Sequence, residues 1–152
     1  MKIKFPKNYQ RYIDVAMEEA EIALKKGEIP VGSVVVREDR VISRAHNQVE
    51  ERGDITAHGE ILVIRDASKK LGKYLNNALI LTTLEPCPMC LSAIIFSRIE
   101  KVVYLARDPI WGALGGIFDM RVTLHHVKGP LSEYIEYPPA EELLREFFNS
   151  IR

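Results

Sequence analysis

The chain has 152 residues, a length that suits one domain and leaves little room for two. Hydrophobic residues make up 47% of it and charged residues 28%, a balance typical of folded proteins and unlike that of disordered ones. The formal net charge is zero, which argues against attachment to nucleic acid by a general basic surplus but allows a local basic patch.

The apolar segments of the sequence are all short. The opening residues lack the apolar stretch of a signal peptide, and no apolar run approaches the roughly 20 residues of a membrane helix. We therefore expect a cytoplasmic protein. Thiols stay reduced in the cytoplasm, so a structural disulfide is not expected.

Hydrophobic periodicity predicts a helix, a hairpin and a second helix in the first half of the chain. Apolar residues recur at helical spacing up to Gly27, and two β-branched runs flank the turn-like pair Glu38-Asp39. A polar stretch then precedes another helical pattern, which ends at Gly72. The predicted ranges are 8–26 for the first helix, 31–36 and 40–45 for the strands, 47–56 for a loop and 57–71 for the second helix.

The second half of the chain continues this alternation. A run of apolar residues predicts a buried strand, Pro88 predicts the start of a helix, and a glycine-rich stretch predicts a loop. The residues 121–137 fit neither a helical nor a strand pattern. Leu143, Leu144, Phe147 and Phe148 form the apolar face of the last helix, and we expect the two phenylalanines in the core. The predicted ranges are 78–83 and 101–106 for strands, 88–97 and 140–151 for helices and 107–116 for the loop.

The order of these elements indicates the fold class. Strands that alternate with helices predict a layered α/β domain with a partly parallel sheet, and the opening hairpin makes another part antiparallel. No internal repeat, low-complexity segment or linker divides the sequence. We therefore expect residues 1–152 to form a single domain.

Both cysteines of the chain lie in one short stretch, Pro86-Cys87-Pro88-Met89-Cys90. Proline is favoured at the first position of a helix, which places Cys87 at the helix cap and Cys90 one turn later. Residues three apart share one side of a helix, so both sulfur atoms can converge. The helix N-terminus also favours the thiolate form. This pattern predicts half of a zinc site.

The other ligands must be His, Asp, Glu, water or a second chain, because no further cysteine exists. His58 and Glu60 open the predicted second helix, where both side chains can project toward a site beyond the helix end. His58, Cys87 and Cys90 give three protein ligands and leave a position for water, as in catalytic zinc sites. Zinc lowers the pKa of bound water from about 15.7 to about 7, and a carboxylate that does not bind the metal, such as Glu60, can then move protons.

Two less specific interpretations remain open. An isolated C-x-x-C can be a redox pair. A closed structural zinc site, completed by His46 or by a C-terminal histidine, would make the protein a binding module without catalysis. However, His46 is expected to end a strand or to support a metal ligand, and not to bind the metal itself. The adjacent His125 and His126 are expected at the surface.

His58-x-Glu60 followed by Pro86-Cys87-x-x-Cys90 resembles the signature of the zinc-dependent nucleobase deaminases. The similarity extends over most of the chain to the bacterial tRNA adenosine deaminases, which convert the wobble adenosine of an anticodon to inosine. The stretches that carry it are Ile29-Pro30-Val31-Gly32, Thr56-Ala57-His58-x-Glu60, Thr83-Leu84-Glu85-Pro86-Cys87, Ser97-Arg98-Ile99 and Arg107-Asp108.

This resemblance implies a fold, a cofactor and a set of partners. The fold would be a three-layer α/β/α cytidine deaminase-like domain with a mixed sheet of about five strands. One Zn²⁺ per chain would be held by His58, Cys87 and Cys90, with Glu60 as the catalytic proton carrier. The substrate would be a tRNA anticodon loop, and the protein would form a homodimer.

The resemblance also implies how the substrate is held. Asn47 would hydrogen-bond the flipped base, and Ala57 would meet it through its backbone. Val31 would line the base pocket, while Asp108 would contact a neighbouring nucleotide.

The sequence departs from the bacterial tRNA enzymes at several positions. Gly59 replaces their usual alanine, Ile55 their usual proline, and their Asn-His-Arg near the RNA-facing tail is absent from 124–128. Ile110 and Trp111 are bulkier and more apolar than the family norm, and Trp111 suits either base stacking or packing in a core or dimer. These changes leave the deamination chemistry intact. They keep open a free base or nucleoside, such as guanine or cytosine, as the alternative substrate.

Overall fold

Helices and strands alternate along the chain in this computed structural model, which describes residues 5–152. Residues 1–4, part of the opening stretch in which no signal peptide is expected, lie outside that range. None of the helices within 5–152 is long and apolar enough to cross a membrane. In chain order the elements are α1 (Gln10–Lys25), β1 (Gly32–Arg37), β2 (Arg40–His46), α2 (Val49–Arg52), α3 (Gly59–Leu71), β3 (Ala78–Thr82), α4 (Pro88–Phe96), β4 (Lys101–Tyr104), α5 (Met120–Thr123), β5 (Leu131–Tyr134) and α6 (Pro138–Ser150).

The strands form one five-stranded mixed sheet in the order β2-β1-β3-β4-β5. The hairpin of β1 and β2 turns at Glu38 and Asp39, which both have positive φ angles, as a tight hairpin turn requires. Strand β1 also pairs antiparallel with β3, whereas β3, β4 and β5 run parallel. The helix α4 makes the crossover between β3 and β4. The predicted mixed α/β sheet is therefore confirmed.

Helices cover both faces of the sheet and make three layers. Alternate residues of a strand point to opposite faces. Ile80 of β3 joins the cluster that contains residues of α3 and α4, whereas its neighbours Leu79 and Leu81 join the cluster that contains residues of α1 and α6. All five residues of β3 are buried, as expected for a strand covered on both faces. This arrangement brings α3 and α4 side by side on one face.

Several predicted elements differ in detail from the structure. The polar stretch 47–56 contains the single-turn helix α2, and the undecided stretch 121–137 contains α5 and β5. Helix α6 begins at Pro138, because the prolines occupy its first two positions, where no amide hydrogen is needed. The expectation that Phe148 belongs to the core is wrong, since it is 46% exposed. Trp111 is 64% exposed, so it does not pack in the core of residues 5–152.

Candidate metal centre

The predicted metal ligands lie where α3 and α4 begin. His58 is the N-cap residue of α3, and Cys87 is the N-cap residue of α4, with Pro88 in the first helical turn. Both cap residues have extended backbone, so their side chains precede the helices, and Cys90 follows one turn into α4. The two helices pack against each other on the same face of the sheet. Their N-termini therefore converge, and the predicted position of Cys87 at a helix cap is confirmed.

The three donor atoms form a compact group. The ligand atoms of His58, Cys87 and Cys90 all lie within 4.8 Å of one another. His58 Nδ1 is 3.7 Å from Cys87 Sγ and 3.4 Å from Cys90 Sγ. Tetrahedral zinc with ordinary Zn–N and Zn–S bonds holds a nitrogen and a sulfur about 3.6 Å apart. The donor types and their spacing thus fit Zn²⁺.

No fourth His, Cys, Asp or Glu donor joins this group within residues 5–152. His46 ends β2, and its Nδ1 lies 2.9 Å from the Glu19 carboxylate of α1. His125 and His126 are exposed, as predicted. The part of the chain that the structure describes therefore does not assemble the closed four-ligand site that the sequence left open. Three protein ligands with a free position are typical of catalytic zinc.

The two cysteines shift each other's pKa in opposite directions. A hydrogen bond from the Cys90 thiol, together with one from His58, lowers the pKa of Cys87 to about 4. The same thiol–thiolate hydrogen bond, together with burial, raises the pKa of Cys90. The bond to Cys87 also raises the pKa of His58. A bound divalent cation would displace these protons, since metal ligands must be deprotonated.

Glu60 lies against this group without belonging to it. Its side chain is only 4% exposed and within hydrogen-bonding reach of the Cys90 thiol. Burial raises the pKa of Glu60 to about 7, because desolvation outweighs the opposing charge of His58. A carboxyl group with a pKa near neutrality can both take up and release a proton, as a general acid–base group must.

Three of the four predicted substrate-binding residues are close together beside the start of α3. Asn47 donates its backbone N–H to Val31 O at 3.1 Å, and Ala57 O accepts from the next amide, that of Gln48, at 2.9 Å. The Oδ1 atom of Asn47 is buried, and no group within residues 5–152 pairs with it. A buried acceptor without a partner costs free energy unless a ligand satisfies it. Asn47 Oδ1 is such an acceptor among the described residues.

Asp108, the fourth predicted residue, lies on the loop after β4. One of its carboxylate oxygens accepts the amides of Ile110 and Trp111 at 2.9 and 3.0 Å. The amide of Ala113 in the same loop donates to Pro86 O at 2.9 Å, next to Cys87. The loop thus borders the donor group from the side of α4.

Two buried glutamates of the site region were missed by the sequence analysis. The Glu28 carboxylate accepts the amides of Glu50 and Glu51 at 2.9 and 2.8 Å and so fixes α2, which follows Asn47. The Glu85 carboxylate likewise accepts backbone amides, in this case those of the loop after β4. The one signal for Glu85 in the sequence is its place beside Pro86 and Cys87 in the stretch Thr83-Leu84-Glu85-Pro86-Cys87.

Zinc deaminases of nucleobases combine a His/Cys/Cys site with a carboxylate that is not a ligand, and the fold and donor group place this chain in that class of hydrolases. A model of the cytidine and deoxycytidylate deaminase zinc-binding region matches residues 6–106. The chain belongs to this family.

Similar proteins include curated enzymes and solved structures. The tRNA-specific adenosine deaminase of Aquifex aeolicus is 46% identical over 145 residues, with 93% of this chain and 94% of that protein covered. The tRNA-specific adenosine deaminase of Agrobacterium fabrum is 42% identical, with the same shares covered. A structure from a study of A-to-I editing by tRNA:A34 deaminases at the wobble position superimposes with a TM-score of 0.78 at 37% identity, over 90% of this chain and 98% of that one.

Proposed function

We propose that the chain deaminates adenosine to inosine at the wobble position of a tRNA anticodon. The observation that carries this proposal is the extent of the similarity. Matches to two tRNA-specific adenosine deaminases cover 93% of the chain, whereas the zinc-binding region alone ends at residue 106. The zinc-binding region accounts for the deamination chemistry, and the residues beyond it support the choice of substrate.

The three donor residues and Glu60 have separate roles in this reaction. His58 Nδ1 and the sulfur atoms of Cys87 and Cys90 would hold the Zn²⁺, which supplies an activated water nucleophile near neutral pH when bound. Glu60 would take a proton from the attacking water and deliver it to a ring nitrogen of the base. It would then carry the remaining proton of that water, from the new hydroxyl group, to the amino group, which leaves as ammonia. Its buried position keeps competing water away from this transfer.

Asn47, Ala57 and Val31 would hold the flipped base. The buried Oδ1 of Asn47 is free to accept a hydrogen bond from it. The N–H of Ala57 is already bound to Asp54 O, so its carbonyl, which has a second lone pair, is the backbone group left for the base. Val31 is buried beside Asn47 and would form the apolar wall of the pocket. Asp108 would contact a neighbouring nucleotide.

We also propose that residues 1–152 act as a single deaminase domain in the cytoplasm. The core clusters on both faces of one sheet support the single domain. The free thiols of Cys87 and Cys90 support a cytoplasmic location, because a reducing compartment keeps thiols available as metal ligands.

The substrate proposal predicts a specific response to RNA and to salt. An anticodon stem-loop with adenosine at the wobble position should release ammonia and form inosine. The same stem-loop with guanosine there is the matched control and should not react. KM for the RNA should rise about tenfold or more between 50 and 200 mM salt, because binding releases counterions from phosphates. Turnover of free guanine, cytosine, adenine or a nucleoside, with none of the RNA, would contradict the proposal in favour of a small substrate.

We further propose that the enzyme is a homodimer that buries the outer side of α4. This helix is mostly apolar around its circumference, a pattern typical of a helix covered on all sides. Its inner residues Cys90, Leu91 and Ile94 are buried, whereas Phe96 at its end is 81% exposed. A second copy of the chain would cover this surface.

The dimer proposal predicts a mass of two chains in light scattering at micromolar concentration. Phe96→Glu should shift the protein toward the mass of one chain, because a buried carboxylate would oppose the apolar contact. Phe148→Glu is the matched control, since Phe148 is exposed on α6 at the other face of the sheet. A wild-type protein with the mass of one chain would refute the proposal.

A further inference from the structure

Glu85 is a buried carboxylate that lies two residues before Cys87 and is 2% exposed. Three backbone amides of the loop after β4 donate to it. Asp108 N lies 3.1 Å from Oε1, while Leu114 N and Gly116 N lie 2.9 and 2.8 Å from Oε2. The backbone N–H of Glu85 itself donates to Ala106 O at 2.9 Å, at the start of the same loop.

These amides take the place of a counter-charge. Within residues 5–152, no Lys, Arg or His forms an ion pair with Glu85. A buried carboxylate is stable only if it is paired or well hydrogen-bonded, and several backbone N–H groups can meet this need. Glu85 therefore depends on the loop, and the loop depends on Glu85 for its shape.

Two glycines let the loop approach the carboxylate closely. A Cβ atom at Gly112 would overlap the Glu85 carboxylate, and one at Gly116 would overlap the carbonyl of Asp108 and come within 2.9 Å of Glu85 Oε1. Neither glycine has a positive φ, so the requirement at both positions is space. The stretch 107–116, here called the Glu85 loop, is therefore wrapped around a single side chain.

The Glu85 loop exposes groups that nucleic-acid-binding surfaces commonly use. Arg107, Ile110 and Trp111 are exposed on it, and aromatic and guanidinium groups stack on unpaired bases. The segment that anchors the loop is also the one that leads into the metal ligands, through Glu85 and through the bond from Ala113 N to Pro86 O. The position of Glu85 thus fixes the distance between the exposed loop and Cys87.

We propose that Glu85 is a positioning residue that holds the Glu85 loop in register with the metal centre for binding of a polynucleotide. The inference rests on the proposed function for the identity of the polynucleotide. Both carboxylate oxygens of Glu85 accept loop amides, so it acts through the loop on how strongly the nucleotides beside the target are bound. The chemical step on a bound base does not depend on it.

The test is Glu85→Gln, assayed on the wobble-adenosine stem-loop. Glutamine offers one acceptor oxygen and turns an NH₂ group toward the amides, so at least one of the three hydrogen bonds is lost. We expect KM to rise about tenfold or more, with kcat within about threefold of wild type and zinc content unchanged. Gly116→Ala should give the same split between KM and kcat. The double variant with Glu85→Gln and Gly116→Ala should have a KM little higher than that of Glu85→Gln alone, because both substitutions disrupt the same contact.

Glu133→Gln is the matched control, since it makes the same chemical change in the ion pair with Lys101 at the other end of β4. It should leave KM unchanged. Unchanged KM in Glu85→Gln, a fall in kcat at constant KM, or loss of zinc would overturn the proposal. If neither Glu85→Gln nor Gly116→Ala folds, Glu85 is a structural residue and the proposal is also wrong. Absence of wild-type turnover on this RNA is a separate result, which would contradict the proposed function first.

Discussion

Glu60→Ala is expected to lower kcat by at least about 10²-fold and up to about 10⁴-fold, while the protein keeps its zinc. Glu60 lies against the donor group without joining it, and burial raises its pKa to about 7, so it is suited to the proton transfer. Two thiolates neutralise the charge of Zn²⁺, which makes the metal less Lewis-acidic than with three histidines. A proton carrier is therefore more necessary at this site. Kinetics on the stem-loop, together with elemental analysis for zinc, would measure both effects.

Glu60→Gln separates proton transfer from packing. Glutamine fills the same buried space and can hydrogen-bond to Cys90, but it cannot exchange a proton. We expect it to be as inactive as Glu60→Ala and as stable as wild type in thermal unfolding. A variant with either substitution that deaminates at the wild-type rate would show that Glu60 has no catalytic role.

Cys87→Ser is expected to remove most of the bound zinc and, with it, all measurable deamination. The pKa of Cys87 is about 4, so this side chain is a thiolate at neutral pH. A serine hydroxyl remains protonated there and is a weak ligand for zinc. The loss leaves only His58 and Cys90, fewer than the three protein ligands that catalytic zinc sites use. Metal content after dialysis measures the first effect, and ammonia release measures the second.

Met89→Ser is the matched control for the cysteine variant. Met89 lies between the two cysteines in the first turn of α4, and it is 36% exposed, whereas Cys90 is fully buried. The variant should keep one zinc per chain. Full zinc retention by Cys87→Ser would contradict the ligand assignment itself.

The sequence predicts the donor group well because its signals are local. Pro88 specifies the start of α4, and the pattern His58-x-Glu60 opens α3 in the same way. Between these two helix starts in the chain lies β3, a continuous apolar run that the sequence also predicts. Local patterns therefore suffice for the elements that carry the chemistry.

The elements that the sequence did not predict depend on distant parts of the chain. Strand β5 has no fully buried residue and exists because it pairs with β4, as Leu131 does with Lys101. Glu85 looks like a surface residue in the sequence. Its burial becomes possible only through amides 23 to 31 residues further on. No periodicity or motif rule contains such a contact.

The separation of the ligands along the chain links metal binding to folding. His58 is 29 residues from Cys87 and 32 from Cys90. An unfolded chain can offer zinc only the local cysteine pair, and the third donor arrives once α3, β3 and α4 have assembled. Zinc therefore binds the folded chain more strongly than the unfolded one and stabilises it by mass action. The cofactor thus serves as a cross-link between two helices, so that scarcity of zinc in the cell would weaken the fold as well as the catalyst.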